Sequence, residues 1–481
     1  MNPSPLRDVR GRLWQGGLAL LLFLVTAMVG NFFLPAERAV SLRTAGYDFL
    51  AFYTGGTFVR TGQSEKLYDL EAVRAFQHGM ARETGIELRS GAVGPFWNPP
   101  IVAWVFAPLS ALPYRAAFLV WTIINVGCLV GAITLLSRFV ASSPLPCFRG
   151  GQPLLEQPQR AAGAASCMGG AAMPREHGAL RNWRTWGLVP LLTIVSMALI
   201  TSIGHGQNAC LSLLILSATV ALWRGGRFFF AGAIAGLLFY KPQLGAVVAA
   251  VMIVCCGWRA LAGLAMTGAM LLVATLATLP GTLTAYIQQM PGNLAFMQVQ
   301  QPYARERHVT LKAFWRLLVQ GHATGEMSSL AMMLYITTAL LLAACVAACI
   351  WKLRQSHDEL AARDRIISLT ILSMPLLMPF YFDYDLLLLA VPAVLTARQA
   401  LTRGGLDRNV TITWITLYAW LMVNPHVAAI TRVNGTVILL VVVAAMTMRS
   451  EVAQVFRAVL ALEPITGRNA CATRLMEQVE R

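Results

Sequence analysis

Charged residues are scarce in this sequence: they make up 12% of the 481 residues, whereas soluble domains carry about 25%. Hydrophobic residues make up 57%, and the mean hydropathy is +0.60. This composition excludes an ordinary soluble domain. Because the apolar residues recur in segments of about 20, the length of a helix that crosses a bilayer, we predict an all-α polytopic membrane protein.

The sequence also lacks the short motifs of several enzyme classes. It contains no Walker loop, no dinucleotide-binding glycine fingerprint, no HExxH pair and no GxSxG elbow. The usual sequence signatures of nucleotide binding and of zinc-dependent hydrolysis are therefore absent. Most of the nine cysteines lie within apolar runs, and no pair falls in a predicted outer loop. We therefore expect no disulfide framework, no metal site and no cofactor.

Acidic residues are outnumbered by basic ones, which gives a net charge of +16. The basic residues stand in ones and twos between apolar runs, which is the distribution of cytoplasmic loops under the positive-inside rule. We therefore predict a membrane-lipid environment and no nucleic-acid partner.

Taken in order, the apolar segments predict a single domain of about twelve transmembrane helices over residues 13–448. Residues 1–12 form a predicted cytoplasmic leader and residues 449–481 a cytoplasmic tail, so both termini are placed in the cytoplasm. The predicted spans include residues 209–223 and 244–257. A second outer loop is predicted at residues 280–322, and one of the late outer turns at residues 424–426, where a proline follows an asparagine.

Two connections stand out by their length. Residues 35–113 form a predicted extracytoplasmic loop that ends in an apolar stretch, residues 99–113, with four prolines. That stretch is too short to span the membrane, and we predict a juxtamembrane or re-entrant helix. Residues 138–185 are rich in Gly, Pro and Arg and are predicted to be a flexible cytoplasmic linker.

Polar residues gather at the predicted outer turns, whereas random placement would scatter them over both faces. Asp48 is the most prominent, because a carboxylate among aromatic side chains at the membrane boundary suits a general base. It could instead cap a helix that begins at Phe49. The residues on this predicted face are Asp48, Asp69, His205, Gln207, Asn208, Lys241, Gln243, Arg305, Arg307, His308, Asp383, Asp385 and His426.

Cations form one subset of these residues. Lys241 stands between two short apolar helices, where a charge is costly unless it meets water or an anion, although it could also extend to lipid headgroups. Arg305, Arg307 and His308 could hold a phosphate by charge-assisted hydrogen bonds. Alternatively, Arg305 and Arg307 form an internal salt-bridge set with Glu306 on a solvated loop.

Amides and acids form a second subset. The side chains of Gln207 and Asn208 suit sugar hydroxyls, although they could simply close a tight turn. Asp69 could cap the helix that follows it, and Asp385 could cap a helix or pair with a cation. The predicted contacts to sugar or acceptor are Tyr53, Asp69, His205, Gln207, Asn208, Gln243 and Asp385.

Several short motifs follow one another from Asp48 to Pro392. They are Asp48-Phe49, Gly62, Tyr68-Asp69, Asn98-Pro99-Pro100, Gly206-Gln207-Asn208, Arg224-Gly225-Gly226-Arg227, the run from Gly236 to Gln243, His308-Val309-Thr310-Leu311 and Tyr384-Asp385-Leu386. Each motif is short, but their order and spacing together resemble glycosyltransferase family 87, the polyprenol-phosphate-mannose-dependent mannosyltransferases of the GT-C fold.

The resemblance implies an inverting sugar transfer from a polyprenyl-phosphate donor, with mannose as the usual sugar, to a glycan or glycolipid acceptor outside a bacterial inner membrane. Asp48 would be the general base. Lys241 and the group Arg305, Arg307 and His308 would hold the leaving lipid phosphate. Two alternatives remain: a transporter or flippase for lipid-linked sugars, and an enzyme similar to O-antigen ligases.

Overall fold

The computed structural model describes residues 5–31, 46–84, 88, 93–141, 148–149, 152–153, 187–300, 303–356, 358–403, 405 and 407–448. Four predicted segments lie partly or wholly outside the described residues: the leader at residues 1–4, the first outer loop at residues 35–45, 85–87 and 89–92, most of the linker at 138–185, and the tail at 449–481. The described chain is helical apart from two paired two-residue strands, β1 (Phe148–Arg149) and β2 (Gln152–Pro153).

The described residues form eighteen α-helices, joined in places by short 3-10 turns at Ser64–Lys66, Pro100–Val102, Leu109–Ala111, Leu237–Tyr240, Arg305–Arg307 and Asp383–Leu389 and a π turn at Phe296–Gln300. The α-helices are α1 (Pro5–Asn31), α2 (Phe49–Arg60), α3 (Leu70–Thr84), α4 (Ala103–Phe106), α5 (Tyr114–Ala141), α6 (Gly187–Ile194), α7 (Met197–His205), α8 (Ala209–Arg224), α9 (Phe228–Gly236), α10 (Pro242–Cys256), α11 (Trp258–Thr278), α12 (Thr282–Ala295), α13 (Leu311–Gln320), α14 (Ser329–Arg354), α15 (Glu359–Leu377), α16 (Ala390–Arg403), α17 (Arg408–Thr431) and α18 (Gly435–Thr447).

Four helical segments of the described chain are long and apolar enough to cross a membrane, or five if the bent pair α6 and α7 counts as one span. The chain is therefore an all-α membrane protein, but the predicted number of twelve spans is not confirmed. The reason is length: α8 and α10, predicted as spans, have only 16 and 15 residues, fewer than the ~20 of a typical membrane-crossing helix.

Two predicted outer connections are largely helical. The turn predicted at residues 424–426 is wrong, because α17 continues through Pro425 to Thr431. Ending a helix in an apolar environment leaves backbone carbonyls without hydrogen-bond partners. Membrane helices therefore tolerate an internal proline, because neighbouring groups can supply the partners that the proline removes. The connection predicted at residues 280–322 contains α12 and α13.

Ion pairs and small residues hold the bundle together. Asp364 is buried and accepts hydrogen bonds from Arg224 Nε at 2.6 Å and from Arg398 Nη1 at 2.9 Å, which links α8, α15 and α16. Between α9 and α11, a Cβ on Gly263 would lie 2.0 Å from the Phe229 carbonyl oxygen. Glycine therefore allows the two backbones to approach closely, as is common in membrane helix packing.

The helix α2 is fixed in the bundle by aromatic side chains and one close backbone contact. Phe52 stacks on Phe106 of α4 at a centroid distance of 4.7 Å, and Phe106 also contacts Trp121. A Cβ on Gly56 would lie 2.4 Å from the Phe106 carbonyl oxygen. These contacts fix the position of α2 and hence of the residue that precedes it, Asp48.

Candidate active site

Asp48 stands directly before α2, at the end of a turn that is held from two sides. Gly46 has φ +79, a backbone conformation that favours glycine, and its N–H donates to the Gly204 carbonyl at 2.8 Å. The Tyr114 hydroxyl donates to the Gly46 carbonyl at 2.6 Å. Among the described residues the Asp48 carboxylate makes no capping hydrogen bond to α2, so the side chain is available for other contacts.

The carboxylate of Asp48 faces the turn between α7 and α8. Gln207 Nε2 donates to Asp48 Oδ2 at 2.9 Å, and His205 Nδ1 lies 3.4 Å from the same oxygen. The Asp48 side chain is still 29% exposed, so part of it remains accessible. Burial raises the pKa of Asp48, but the hydrogen bond and charge of His205, the charge of Arg307 and the Gln207 amide together lower it below the usual value.

The pH dependence of activity follows from this balance. If Asp48 is the general base that the sequence predicts, kcat/KM follows its ionisation in the free enzyme, and we expect the acidic limb of kcat/KM to lie below pH 3.8, the ordinary aspartate value. In His205→Ala, fewer interactions stabilise the ionised carboxylate against the effect of burial. The pKa of Asp48 therefore rises, and the acidic limb of kcat/KM moves to higher pH. Pre-steady-state or short initial-rate assays from pH 3 upwards, on protein shown to remain folded, measure the shift. A limb in His205→Ala that is unchanged, or at lower pH, would contradict this electrostatic account.

Lys241 and Asp385 are predicted to contact two different ligands, but the structure pairs them with each other. Lys241 Nζ lies 2.8 Å from Asp385 Oδ1, and both side chains are buried. The ammonium also lies 5.1 Å from the centre of the Tyr384 ring, within range of a cation–π interaction. The charge of Lys241 is therefore compensated by a carboxylate of this chain.

Arg307 forms a second pair at the same segment. Its Nε and Nη2 lie 3.0 Å from the two carboxylate oxygens of Asp383, a bidentate arrangement. The Arg307 side chain is 24% exposed, and its charge acts on Asp48. Asp48, Arg307 and Tyr384 therefore belong to one electrostatic group, since the charge of Asp48 also raises the pKa of Arg307.

His308 does not supply a positive charge at neutral pH. It is buried among Tyr303, Phe382 and Phe380, and burial together with the neighbouring cations lowers its pKa to about 3. Its predicted role as a phosphate-holding cation is therefore corrected to that of a neutral imidazole. Arg305 is also buried, and its Nη2 donates to the Gln298 carbonyl at 3.1 Å.

Four other residues that were predicted to contact sugar or acceptor either form hydrogen bonds within the protein or lie away from Asp48. Asp69 is exposed and accepts hydrogen bonds from Glu71 N and Ala72 N, so it caps α3 and is not joined to the Asp48 group. The Tyr53 hydroxyl donates to the Leu112 carbonyl at 2.9 Å, which ties α2 to the proline-rich stretch. Asn208 is buried at the start of α8, and Gln243 is half-buried in the first turn of α10.

Two residues that were not among the predicted contacts to donor or acceptor also support this site. Asp383 fixes the Arg307 guanidinium, as described above. Asn98 Nδ2 donates to the Tyr240 carbonyl at 2.7 Å, directly before Lys241, and its own carbonyl accepts from the Tyr68 hydroxyl. The sequence signal for Asn98 was the Asn-Pro-Pro motif, and the signal for Asp383 was the pair of acids around Tyr384.

No group of three or more His, Cys, Asp or Glu side chains that could hold a metal ion occurs in the part of the chain that the structure describes. The expectation of no metal and no cofactor stays a prediction.

The fold and the site together define a helical membrane protein with an accessible carboxylate beside paired cations. The model of glycosyltransferase family 87 matches residues 96–379, more than half of the chain, and the chain belongs to that family. The match includes Lys241 and Arg307, and Asp48 precedes it. No curated protein and no solved structure matches the chain.

Proposed function

We propose that this glycosyltransferase moves a sugar, mannose in the first instance, from a polyprenyl-phosphate donor to a hydroxyl of a glycan or glycolipid acceptor. Asp48 takes the proton of the acceptor hydroxyl while that oxygen attacks the anomeric carbon with inversion. The bond from the anomeric carbon to the phosphate oxygen breaks, and its electron pair leaves with the lipid phosphate. General bases in such positions contribute about 10²–10⁴-fold to the rate.

The observation that carries this proposal is the environment of Asp48. The carboxylate is partly exposed, and its lowered pKa keeps it ionised at neutral pH, as a proton acceptor requires. The Gln207 amide holds one carboxylate oxygen and leaves the other for an acceptor hydroxyl. An ionised carboxylate fixed in this way is suited to general-base catalysis.

Arg307 is the cation best suited to contact the leaving phosphate. Its side chain is 24% exposed, whereas that of Lys241 is 8% exposed. Two of its nitrogens bind Asp383, so the remaining guanidinium nitrogen is left for a phosphate oxygen. Lys241, paired with Asp385 beside Tyr384, then supports the segment that carries Asp383, the partner of Arg307, and the sugar contacts come from His205 and Gln207.

We further propose a GT-C-type topology of about twelve spans in a bacterial inner membrane, with both termini in the cytoplasm and Asp48 on the outer side. The distribution of basic residues supports this orientation. Arg224, Arg363 and Arg398 meet around Asp364 and the end of α8, at the end of α16 that lies away from Asp385. Such clusters are typical of the cytoplasmic face.

A donor panel tests the proposed reaction. Purified protein is offered the same sugar as polyprenyl phosphate, as polyprenyl diphosphate and as a nucleotide sugar, each with a hydroxyl acceptor, and the product anomer is determined by NMR. We expect product from the polyprenyl phosphate, with the anomeric configuration inverted. Preferred use of the diphosphate or nucleotide donor, or retention of configuration, would overturn the proposal.

A transporter or flippase is the weaker candidate, because membership of a glycosyltransferase family indicates group transfer. The same assay separates the two functions, since a transporter moves the labelled donor across vesicles without forming product. An enzyme similar to O-antigen ligases would use the diphosphate donor.

A further inference from the structure

The connection between α17 and α18 is short and tightly packed. It follows Thr431, the last residue of α17, and its first residue, Arg432, has φ +63, a backbone conformation that residues other than glycine rarely adopt. Gly435, the first residue of α18, lies so close to Trp420 that a Cβ on it would be 2.5 Å from the indole ring. The connection is therefore a firm support for a segment that packs against it.

Asn434 is the last residue of this connection, and its side chain does not cap the helix that follows. An asparagine at the N-cap position normally accepts a hydrogen bond from the first turn of its helix, but the Asn434 side chain makes no such bond. Asn424 Oδ1, from α17, accepts from Thr436 N instead, at 3.3 Å. Asn424 therefore caps α18, and the Asn434 side chain is left for another contact.

The Asn434 amide bonds to the two carbonyls on either side of Arg307. Its Nδ2 donates to the His308 carbonyl at 2.8 Å and to the Glu306 carbonyl at 3.3 Å. An amide nitrogen carries two N–H groups, one for each carbonyl. Asn434 is only 1% exposed, and a hydrogen bond in such an environment is electrostatically stronger than in water. One buried side chain thus fixes the backbone on both sides of Arg307.

The segment at residues 381–383 supplies the other contacts that hold Arg307. Val309 N donates to the Tyr381 carbonyl at 2.9 Å, and Asp383 binds the guanidinium, as described above. That segment therefore holds the end of the Arg307 side chain and the chain that follows it. Asn434 holds the backbone from which the side chain extends.

We propose that Asn434 is a positioning residue for the transfer reaction: it sets the backbone of Arg307 so that the guanidinium presents its remaining nitrogen to the leaving phosphate. The inference rests on the proposed function, because Arg307 is the cation assigned there to the phosphate. In this role Asn434 acts through Arg307 and does not contact the substrates. The sequence does not reveal the pairing, since 126 residues separate Asn434 from His308.

Donor kinetics test this role. Arg307→Gln removes the charge at the phosphate and should raise KM for the polyprenyl-phosphate donor about tenfold or more. Asn434→Ala keeps that charge but loosens its backbone, so KM for the donor should rise about threefold to tenfold, while KM for the acceptor stays within about twofold. In the Arg307→Gln background, Asn434→Ala should not raise KM for the donor further, because the residue through which it acts is gone.

Gln77→Ala is the matched control. Gln77 is also a buried amide, 1% exposed, and its side chain exchanges two hydrogen bonds with the backbone of Gly94 in the predicted outer loop. Its loss should lower the unfolding temperature, as Asn434→Ala does, but leave KM for the donor unchanged. The same pattern in Asn434→Ala would mean a purely structural role and would overturn the proposal. An additive effect of Asn434→Ala in the Arg307→Gln background would also overturn it.

A titration of Asp48 tests the position of Arg307 without any assay of transfer. The hydrogen bond and charge of His205 and the charge of Arg307 lower the pKa of Asp48. Tyr114 and Tyr384, which also interact with this carboxylate, are uncharged at acidic and neutral pH. Infrared difference spectroscopy, with Asp48→Asn to assign the carboxyl band, measures the titration.

Loss of the Asn434 amide should raise the pKa of Asp48, in the same direction as Arg307→Gln and by a smaller amount, because the cation is no longer held in place. A titration that Arg307→Gln shifts and Asn434→Ala leaves unchanged would overturn the positioning role, whichever donor the enzyme uses. If both variants shift the titration but Arg307→Gln leaves KM for the donor unchanged, Asn434 positions Arg307 as inferred, and the proposed contact between Arg307 and the phosphate is wrong.

Discussion

Asp48→Asn should lower kcat by about 10²–10⁴-fold, the contribution typical of a general base. The substitution preserves the shape of the side chain and its hydrogen bond from Gln207 through the amide oxygen, but an amide cannot accept the proton of the acceptor hydroxyl. The effect belongs to kcat, because the proton transfer occurs in the transition state. The measurement is transfer from the polyprenyl-phosphate donor at saturating substrate concentrations.

Asp69→Asn is the matched control for that experiment. Asp69 lies in the same predicted outer loop but is exposed, and its carboxylate caps α3 through Glu71 N and Ala72 N. Asparagine is an equally good N-cap, so we expect activity within about twofold of the wild type. If folded Asp48→Asn transferred sugar at the wild-type rate, Asp48 would not be the base, whatever the control showed.

The features of this site that were predictable are those that depend on local sequence. An acid among aromatic residues indicated Asp48, and polar residues at outer turns indicated His205, Gln207 and Arg307. The structure brings His205, Gln207 and the charge of Arg307 to Asp48. Residues 159 positions apart meet here because the ends of several helices gather at one end of the bundle.

The charge state of the site could not be predicted in the same way. The sequence allowed Asp385 to pair with a cation but did not identify which one, because Lys241 and Asp385 are separated by 144 residues and pair only in the folded bundle. The same holds for Arg307 and Asp383, 76 residues apart. His308 appeared as a third cation in the sequence, yet the aromatic rings around it, two of them from the segment at 380–382, exclude the water that a charge requires.

The predicted number of spans is not confirmed for a related reason. Apolar composition predicts that a segment is buried, but not whether it crosses the bilayer alone or packs as a short helix among others. The helices α8 and α10 are mostly apolar, yet each is shorter than a span, and many of their side chains are buried by neighbouring helices. Hydropathy alone does not separate these two cases.

Removing one partner of the pair Lys241–Asp385 should destabilise the protein by about 3–5 kcal/mol, because the other charge is left buried without compensation. Lys241→Met and Asp385→Asn are therefore each expected to unfold at lower temperature in detergent. The double variant removes both charges and should recover most of the loss, since a buried pair gains little over neutral side chains of similar size. A double-mutant cycle on unfolding free energies measures this coupling.

The pair Arg363–Glu359, in which the glutamate is exposed, provides the control cycle. Its atoms are 3.9 Å apart and Glu359 is 85% exposed, so its coupling should be about 0–1 kcal/mol. A coupling for Lys241–Asp385 no larger than this would show that the buried pair does not stabilise the fold. The folded double variant then separates structure from catalysis. If Lys241 only holds the segment whose Asp383 binds Arg307, KM for the donor stays near the wild-type value, whereas a direct phosphate contact of Lys241 raises KM even though stability has returned.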